Sequence, residues 1–252
     1  MPKVYLDPGH GGSDPGAVKY IREKDANLNI SIGCRDYLKA NGVTVKMSRT
    51  GDVDKSINTR AAEANNWGAD VVVSIHNNAG GGDGFEVLHS IVGGKGKELA
   101  KDIETQVKKI GQNSRGLKTR KGSNGDFFGM IRLPKAPAVI CECAFVDNKT
   151  DVKIIDTKAE QKAFGVAIAK GILNYFGIKA SAQASKPAAA PASYKVKVTA
   201  AALNVRSGPG TKYDINDCIT DKGTYTIVET KGDWGKLKSG AGWINLDYTK
   251  KV

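Results

Sequence analysis

Long apolar runs, dense cysteine and blocks of like charge are all absent from this sequence of 252 residues. No stretch approaches the roughly 18 apolar residues of a membrane-spanning helix. The longest runs, Val71 to Val73 and Ala136 to Cys141, have the length of a strand. With 40% hydrophobic and 25% charged residues, the composition excludes whole-chain disorder, a collagen-like fibre and a membrane bundle. The chain is long enough for one large or two ordinary globular domains.

Cysteine is scarce, and the four cysteines in this length cannot form a disulfide scaffold. Cys141 and Cys143 would share one face of a strand and pack there as small buried side chains. No secretory leader is expected, since Met1 is followed almost at once by a predicted core strand. We therefore expect reduced thiols in a protein that is synthesised in a cytoplasm.

The charge balance is strongly basic, with 38 Lys and Arg against 26 Asp and Glu and a formal net charge of +12. The excess is spread along the chain without a dominant basic block. Such a distribution favours a polyanionic partner, of which nucleic acid is one kind and an anionic cell envelope is another.

The sequence changes character at residues 178–193, IKASAQASKPAAAPAS, which have the composition of a semi-extended linker. Before this segment, apolar strands alternate with helical periodicity, which predicts a domain over 1–177. After it, short strands alternate with turn signals such as Ser207-Gly208-Pro209-Gly210, which predict a small β-barrel over 194–252.

The first domain is predicted to be an α/β fold with a mostly parallel sheet between helices, because strands and helices alternate along it. The predicted strands are 3–7, 43–48, 70–76, 85–89 and 138–145, and the predicted helices are 23–41, 56–67, 95–110 and 158–176.

Three polar residues, His10, His76 and Glu142, stand at or just beyond the C-terminal part of an apolar strand. Ligands of open α/β sheets bind outside these strand ends, so the three side chains are expected to share one crevice. Two imidazoles and a carboxylate are the ligands of a catalytic zinc site, and Glu23 or Asp25 could supply the carboxylate. The alternative for Glu142 is a structural carboxylate that is paired with an arginine or a helix N-terminus.

Four segments in order resemble a known family: DPGHGG at 7–12, EKDANL at 23–28, RAAEANNWGADVVVSIHNNA at 60–79 and PAVICECAFVDN at 137–148. They are similar to the zinc-dependent N-acetylmuramoyl-L-alanine amidases of the amidase-3 type, and the resemblance covers residues 1–177. It implies that His10, Glu23 and His76 bind zinc and that Glu142 is catalytic.

The resemblance also implies the reaction, which is hydrolysis of the amide between the lactyl group of N-acetylmuramic acid and L-alanine. In such sites zinc polarises the carbonyl and activates a water, and Glu142 would act as general base and then general acid. The residue types alone support only metal-assisted hydrolysis of an amide or ester.

The second domain resembles a bacterial SH3 domain in ALNVRSGPGTKY at 202–213, WGKL at 234–237 and GWI at 242–244. The resemblance implies attachment to peptidoglycan, although the tryptophans could equally belong to the core.

We therefore expect a cell-wall hydrolase whose partner is peptidoglycan, without nucleic-acid binding or membrane insertion. It would act at the wall after release from the cell that makes it, either as a phage or prophage endolysin or as a bacterial autolysin. The alternatives from other classes are a zinc peptidase acting on the wall and a wall-binding or nucleic-acid-binding protein with an inactive hydrolase domain.

Three further features carry expectations of their own. His89, the third histidine, is expected to face solvent on its strand, and Glu86 is a candidate group of the substrate crevice. The polar segment 111–129 is expected to be a long loop, either beside the active site or on the plain surface.

Overall fold

A computed structural model describes residues 1–180 and 193–252 of the chain. The chain divides into two compact units, Met1–Ser185 and Lys186–Val252, and each is described by itself. Most of the predicted linker, 181–192, lies outside the described residues. No helix within them is long and apolar enough to span a membrane.

The first unit is an α/β fold, as predicted. Its strands are β1 Lys3–Pro8, β2 Thr44–Met47, β3 Val71–Asn78, β4 Phe85–His89, β5 Ser114–Lys118, β6 Lys121–Gly122, β7 Gly125–Asp126 and β8 Ala138–Phe145. Its α-helices are α1 Glu23–Ala40, α2 Ile57–Trp67, α3 Gly94–Lys108, α4 Gly129–Arg132 and α5 Lys158–Tyr175, with a 3-10 helix at Asp151–Ile154.

Six of these strands form one sheet in the order β2-β1-β3-β8-β4-β5. The first four run parallel to one another, whereas β4 is antiparallel to β8 and parallel to β5. Only the six residues 79–84 connect β3 to β4. A parallel strand would need a crossover of about a dozen residues or more, so β4 has to run in the reverse direction.

Helices cover both faces of the sheet, and the sheet's side chains alternate between two cores. Val71, Val73 and Ile75 pack in the larger core with residues of α1, α3 and α5. Val72 and Ile140 belong to the smaller core on the opposite face, with residues of α2 and α4. The even-numbered residues as far as His76 on β3 and Glu142 on β8 therefore point toward the face of the smaller core, whereas Ala144 beyond them packs in the larger core.

Two sequence predictions are wrong in this unit. His89 does not face solvent; it is only 6% exposed, because it shares a sheet face with Phe85 and Val87 and α3 packs against β4. The segment 111–129 is not a plain loop, since it supplies the edge strand β5 and the β6–β7 hairpin.

The second unit is all-β. Its strands are β9 Tyr194–Val198, β10 Leu203–Arg206, β11 Ile215–Ile219, β12 Thr224–Lys231, β13 Trp234–Leu237, β14 Trp243–Asn245 and β15 Thr249–Lys251. They form one antiparallel sheet in the order β11-β10-β14-β13-β12-β9-β15. Val198, Val205, Ile227 and Ile244 lie in a core of its own, and Trp243 is buried with 8% exposure.

Candidate metal centre

The three predicted strand-end residues are brought to one edge of the sheet. His10 follows β1, His76 lies near the end of β3 and Glu142 lies on β8. β1, β3 and β8 are adjacent and parallel, so their carboxyl ends meet. His76 and Glu142 are register partners, which places their side chains next to each other on one face of the sheet.

Glu23 supplies the missing carboxylate. It is the first residue of α1 and is buried. Its Oε1 atom lies 3.1 Å from Nε2 of His10 and 3.1 Å from Nδ1 of His76. The alternative from the sequence, Asp25, lies 3.7 Å from Arg22 with its side chain 57% exposed, and it is not part of the cluster.

The three side chains fit a divalent metal ion such as zinc. One donor atom from each of His10, Glu23 and His76 lies within 4.8 Å of the others, and two imidazoles with one carboxylate are a catalytic zinc ligand set. Gly9 and Gly16 leave the space that His76 and Glu23 occupy. A Cβ at Gly9 would lie 2.2 Å from Cε1 of His76, and one at Gly16 would lie 2.5 Å from Oε2 of Glu23.

Further polar groups orient these three side chains. Nδ1 of His10 lies 2.7 Å from Oδ2 of Asp14, so its Nε2 is left to face the cluster. The carboxylate of Glu23 accepts backbone N–H bonds from Ala17 at 2.8 Å and Asn77 at 3.1 Å. Such partners fix the orientation of metal ligands. Asp14 was not among the residues predicted from the sequence, although its position four residues after His10 was a signal.

Two buried arginines hold the loop that carries His10. Arg60 pairs with the buried Asp7 at 2.7 Å and donates to the His10 carbonyl at 2.9 Å. Arg49 donates to the carbonyls of Pro8 at 3.0 Å and Gly9 at 2.9 Å. These bonds stabilise the left-handed backbone of His10, whose φ is 59°, a conformation that is uncommon outside glycine. Neither arginine was predicted from the sequence to have a role.

Electrostatic interactions within the cluster stabilise the ionised forms of its three side chains. The hydrogen bond to Glu23 raises the pKa of His10 to about 9. Burial alone would lower the pKa of His76, but the bond to Glu23 and the nearby Glu142 carboxylate outweigh it and raise that pKa. Burial opposes ionisation of Glu23, yet its bonds to the two histidines hold its pKa well below the usual range. A metal ion therefore competes with protons for these imidazoles.

Glu142 lies beside the cluster without joining it. Among the described residues, none donates a hydrogen bond to its carboxylate or forms an ion pair with it. This is the reverse of the paired structural carboxylate that the sequence left open. Burial raises the pKa of Glu142 to about 7; His76 lowers it, whereas Glu23 and Glu86 raise it further. A carboxylate with such a pKa can exchange protons near neutral pH.

The neighbours of Glu142 agree with two further predictions. Cys141 and Cys143 are fully buried on the other side of the strand, in the larger core, and both are free thiols. Glu86 lies directly across from Glu142 on β4 and therefore in the same crevice, where Arg115 forms an ion pair with it.

A pocket opens next to His10 and His76, between α2, α4 and β8. Ile57, Met130 and Ile140 give it apolar lining, and Asp54, Lys55 and Arg60 line it as well. The crevice thus has a pocket next to the histidines and the charged pair of Glu86 and Arg115 beyond Glu142.

Comparisons with known proteins find relatives of the first unit in sequence and in fold. The profile of Amidase_3, described as N-acetylmuramoyl-L-alanine amidase, matches residues 4–174. A sporulation-specific N-acetylmuramoyl-L-alanine amidase of Bacillus subtilis is 34% identical over 81% of this chain and 79% of its own length. The endolysin of Bacillus phage SPP1 is 34% identical over 73% of this chain and 69% of its own length.

A solved structure shares the fold of the first unit. The catalytic domain of CwlV, an N-acetylmuramoyl-L-alanine amidase from Bacillus (Paenibacillus) polymyxa, superposes with a TM-score of 0.64 at 29% identity. The match covers 71% of this chain and 100% of that domain. Taken with the matching profile, these similarities show that the chain belongs to the Amidase_3 family of N-acetylmuramoyl-L-alanine amidases.

Proposed function

We propose that this chain is a zinc-dependent peptidoglycan hydrolase that cleaves the amide between the lactyl group of N-acetylmuramic acid and L-alanine. The observation that carries the proposal is the convergence of His10, Glu23 and His76 beside Glu142, a carboxylate without a protein partner among the described residues. A half-buried acid next to a metal-ligand cluster is suited to metal-assisted amide hydrolysis.

His10, Glu23 and His76 would hold the metal, which when bound supplies Lewis-acid activation of the amide carbonyl and of the attacking water. Glu142 accepts a proton from that water at its carboxylate, and afterwards donates the proton to the nitrogen of the departing L-alanine. Asp14 keeps His10 in the orientation that presents Nε2 to the metal. Arg60 and Arg49 keep the His10 loop in place.

The proposal predicts metal-dependent lysis of purified cell walls, measured as loss of turbidity. We expect a chelator to abolish lysis, because it removes the metal ion that the proposed reaction needs. Added zinc should restore lysis by binding again to the cluster. The products should carry new L-alanine amino groups on intact stem peptides, which end-group analysis detects. Cleavage inside the stem peptide would identify a wall peptidase instead, and binding without cleavage would identify an inactive hydrolase.

For the second unit we propose attachment to the wall as an SH3-like module. Its antiparallel strands and separate core support a self-contained β domain. Its net charge also supports the proposal, since residues 194–252 contain 10 Lys and Arg against 6 Asp and Glu. Such a surface attracts an anionic wall polymer.

This attachment predicts that residues 1–180 alone keep their activity on soluble muropeptides but lose efficiency on whole walls. A tethered binding unit raises the effective concentration of the enzyme at its substrate, by as much as about 10²-fold. The truncation is placed after Ile178 because that side chain packs against the core of the first unit. Turbidity loss on walls and product release from muropeptides are compared at equal zinc content. Equal wall activity of the two forms would contradict the attachment role.

For the biological role we propose host-cell lysis by a phage or prophage endolysin that is made in the cytoplasm and acts at the wall after release. The similarity to the SPP1 endolysin supports this role. The similarity to a sporulation-specific amidase supports the alternative, a bacterial autolysin. A holin gene next to the coding sequence is expected for the endolysin and not for the autolysin.

A further inference from the structure

A row of charged side chains crosses the sheet from the metal cluster toward its edge. His76 on β3 is the register partner of Glu142 on β8, and Glu142 is the register partner of Glu86 on β4. Residues directly opposite one another in a ladder have their Cβ atoms about 5 Å apart on the same face. Glu142 therefore stands between the metal ligands on one side and Glu86 on the other.

Arg115 ends this row on the edge strand β5. Its Nε atom donates to Glu86, and its guanidinium carbon lies 5.3 Å from the centre of the Phe145 ring. Glu86 is held from its other side by Asn78, whose amide nitrogen lies 3.3 Å from it. Two contacts thus orient the guanidinium next to the Glu142 strand.

The guanidinium of Arg115 has hydrogen-bond donors available for a ligand. The side chain of Arg115 is 43% exposed, whereas that of Glu86 is 14% exposed. Among the described residues, no acceptor is bonded to the two terminal nitrogens of Arg115. An oriented guanidinium with two unused nitrogens fits a carboxylate, which it can bind through two parallel hydrogen bonds.

The role of Glu142 in proton transfer determines which part of the substrate lies near Glu86 and Arg115. The leaving nitrogen must lie next to Glu142, because that carboxylate delivers its proton. The stem peptide begins at this nitrogen, so it extends away from the histidines toward Glu86 and Arg115. The acyl side of the scissile amide then faces the pocket next to His10 and His76.

Distances and chemistry agree with this direction. In peptidoglycan the residue after L-alanine is D-glutamate joined through its γ-carboxyl group, which leaves its α-carboxylate free. Two extended residues span roughly 7 Å, and β5 lies two strand spacings, roughly 10 Å, from β8. The side chain of Arg115 extends from β5 toward β8, since its Nε donates to Glu86 on the intervening strand.

We propose that Arg115 binds the free α-carboxylate of the second stem-peptide residue and so makes the enzyme selective for stems that carry this charge. The inference rests on the proposed amidase function. Glu86 and Phe145 hold the guanidinium in place for this contact. Without a cation at this position, the carboxylate of Glu86 would repel the substrate carboxylate.

The test compares two soluble muropeptides that differ only at the D-glutamate α-position, one with a carboxylate and the other with a carboxamide. We expect kcat/KM of the wild type to be about 10-fold higher or more on the carboxylate, because hydrogen bonds between charged groups are the stronger ones. Arg115→Gln should lower kcat/KM on the carboxylate by about 10- to 100-fold, mainly through KM, and change it little on the carboxamide. Arg115→Lys should keep part of the preference.

Arg35→Gln is the matched control, since Arg35 pairs with Asp36 on the surface of α1, and it should leave the preference unchanged. The ratio between the two muropeptides does not depend on how much of a variant is folded. A wild type without preference, or an Arg115→Gln variant weakened equally on both muropeptides, would overturn the inference. A wild type that cleaves neither muropeptide would contradict the proposed function itself, and the inference with it.

Discussion

Replacing Glu142 with glutamine is expected to lower turnover by about 10²- to 10⁴-fold while zinc stays bound. Glutamine keeps the volume of the side chain, so the packing beside His76 is preserved. Its amide cannot accept the proton of the attacking water or return one to the leaving nitrogen. The measurement is kcat on soluble muropeptides, together with the zinc content of the same preparation and a thermal melt.

The control for this variant is Glu98→Gln, which makes the same chemical change on an exposed residue of α3 and should leave turnover unchanged. Zinc loss from Glu142→Gln would make Glu142 a fourth ligand. Near-normal turnover with zinc retained would mean that another residue is the general base. The first candidate would be Glu86, which lies across from Glu142 in the crevice.

The second large effect is expected from removing a histidine of the cluster. His10→Ala or His76→Ala should abolish stoichiometric zinc binding and wall lysis together, because each supplies one of only three protein ligands found among the described residues. The loss should exceed the roughly 10- to 100-fold effect of changing a residue that only supports a ligand. Metal analysis after dialysis and the turbidity assay measure the two properties on one sample.

His89→Asn is the matched control for the histidine variants. His89 is the third histidine, buried away from the cluster, with Nδ1 2.8 Å from the Ser90 carbonyl. Asparagine can keep a hydrogen bond there, so we expect zinc content to stay at the wild-type level. Tight stoichiometric zinc in His10→Ala or His76→Ala would remove that histidine from the ligand set.

The sequence by itself determined the α/β class of the first unit and the positions of its main elements. The apolar run in β3 and the helical spacing in α1 are local properties, and such local patterns indicate the secondary structure that buries the apolar side chains. The sequence also pointed to His10, Glu23, His76 and Glu142, because each of them belongs to a short motif next to a recognisable strand or helix start.

Only the tertiary structure decided which polar groups meet. The support of the His10 loop by Arg60 and the ion pair between Glu86 and Arg115 both depend on contacts made across the fold. The burial of His89 likewise follows from α3 packing against β4. The physical reason is that these pairings are selected by strand order, register and helix packing, which join residues far apart in sequence. The spacing of residues along the chain does not show which of these distant residues come into contact.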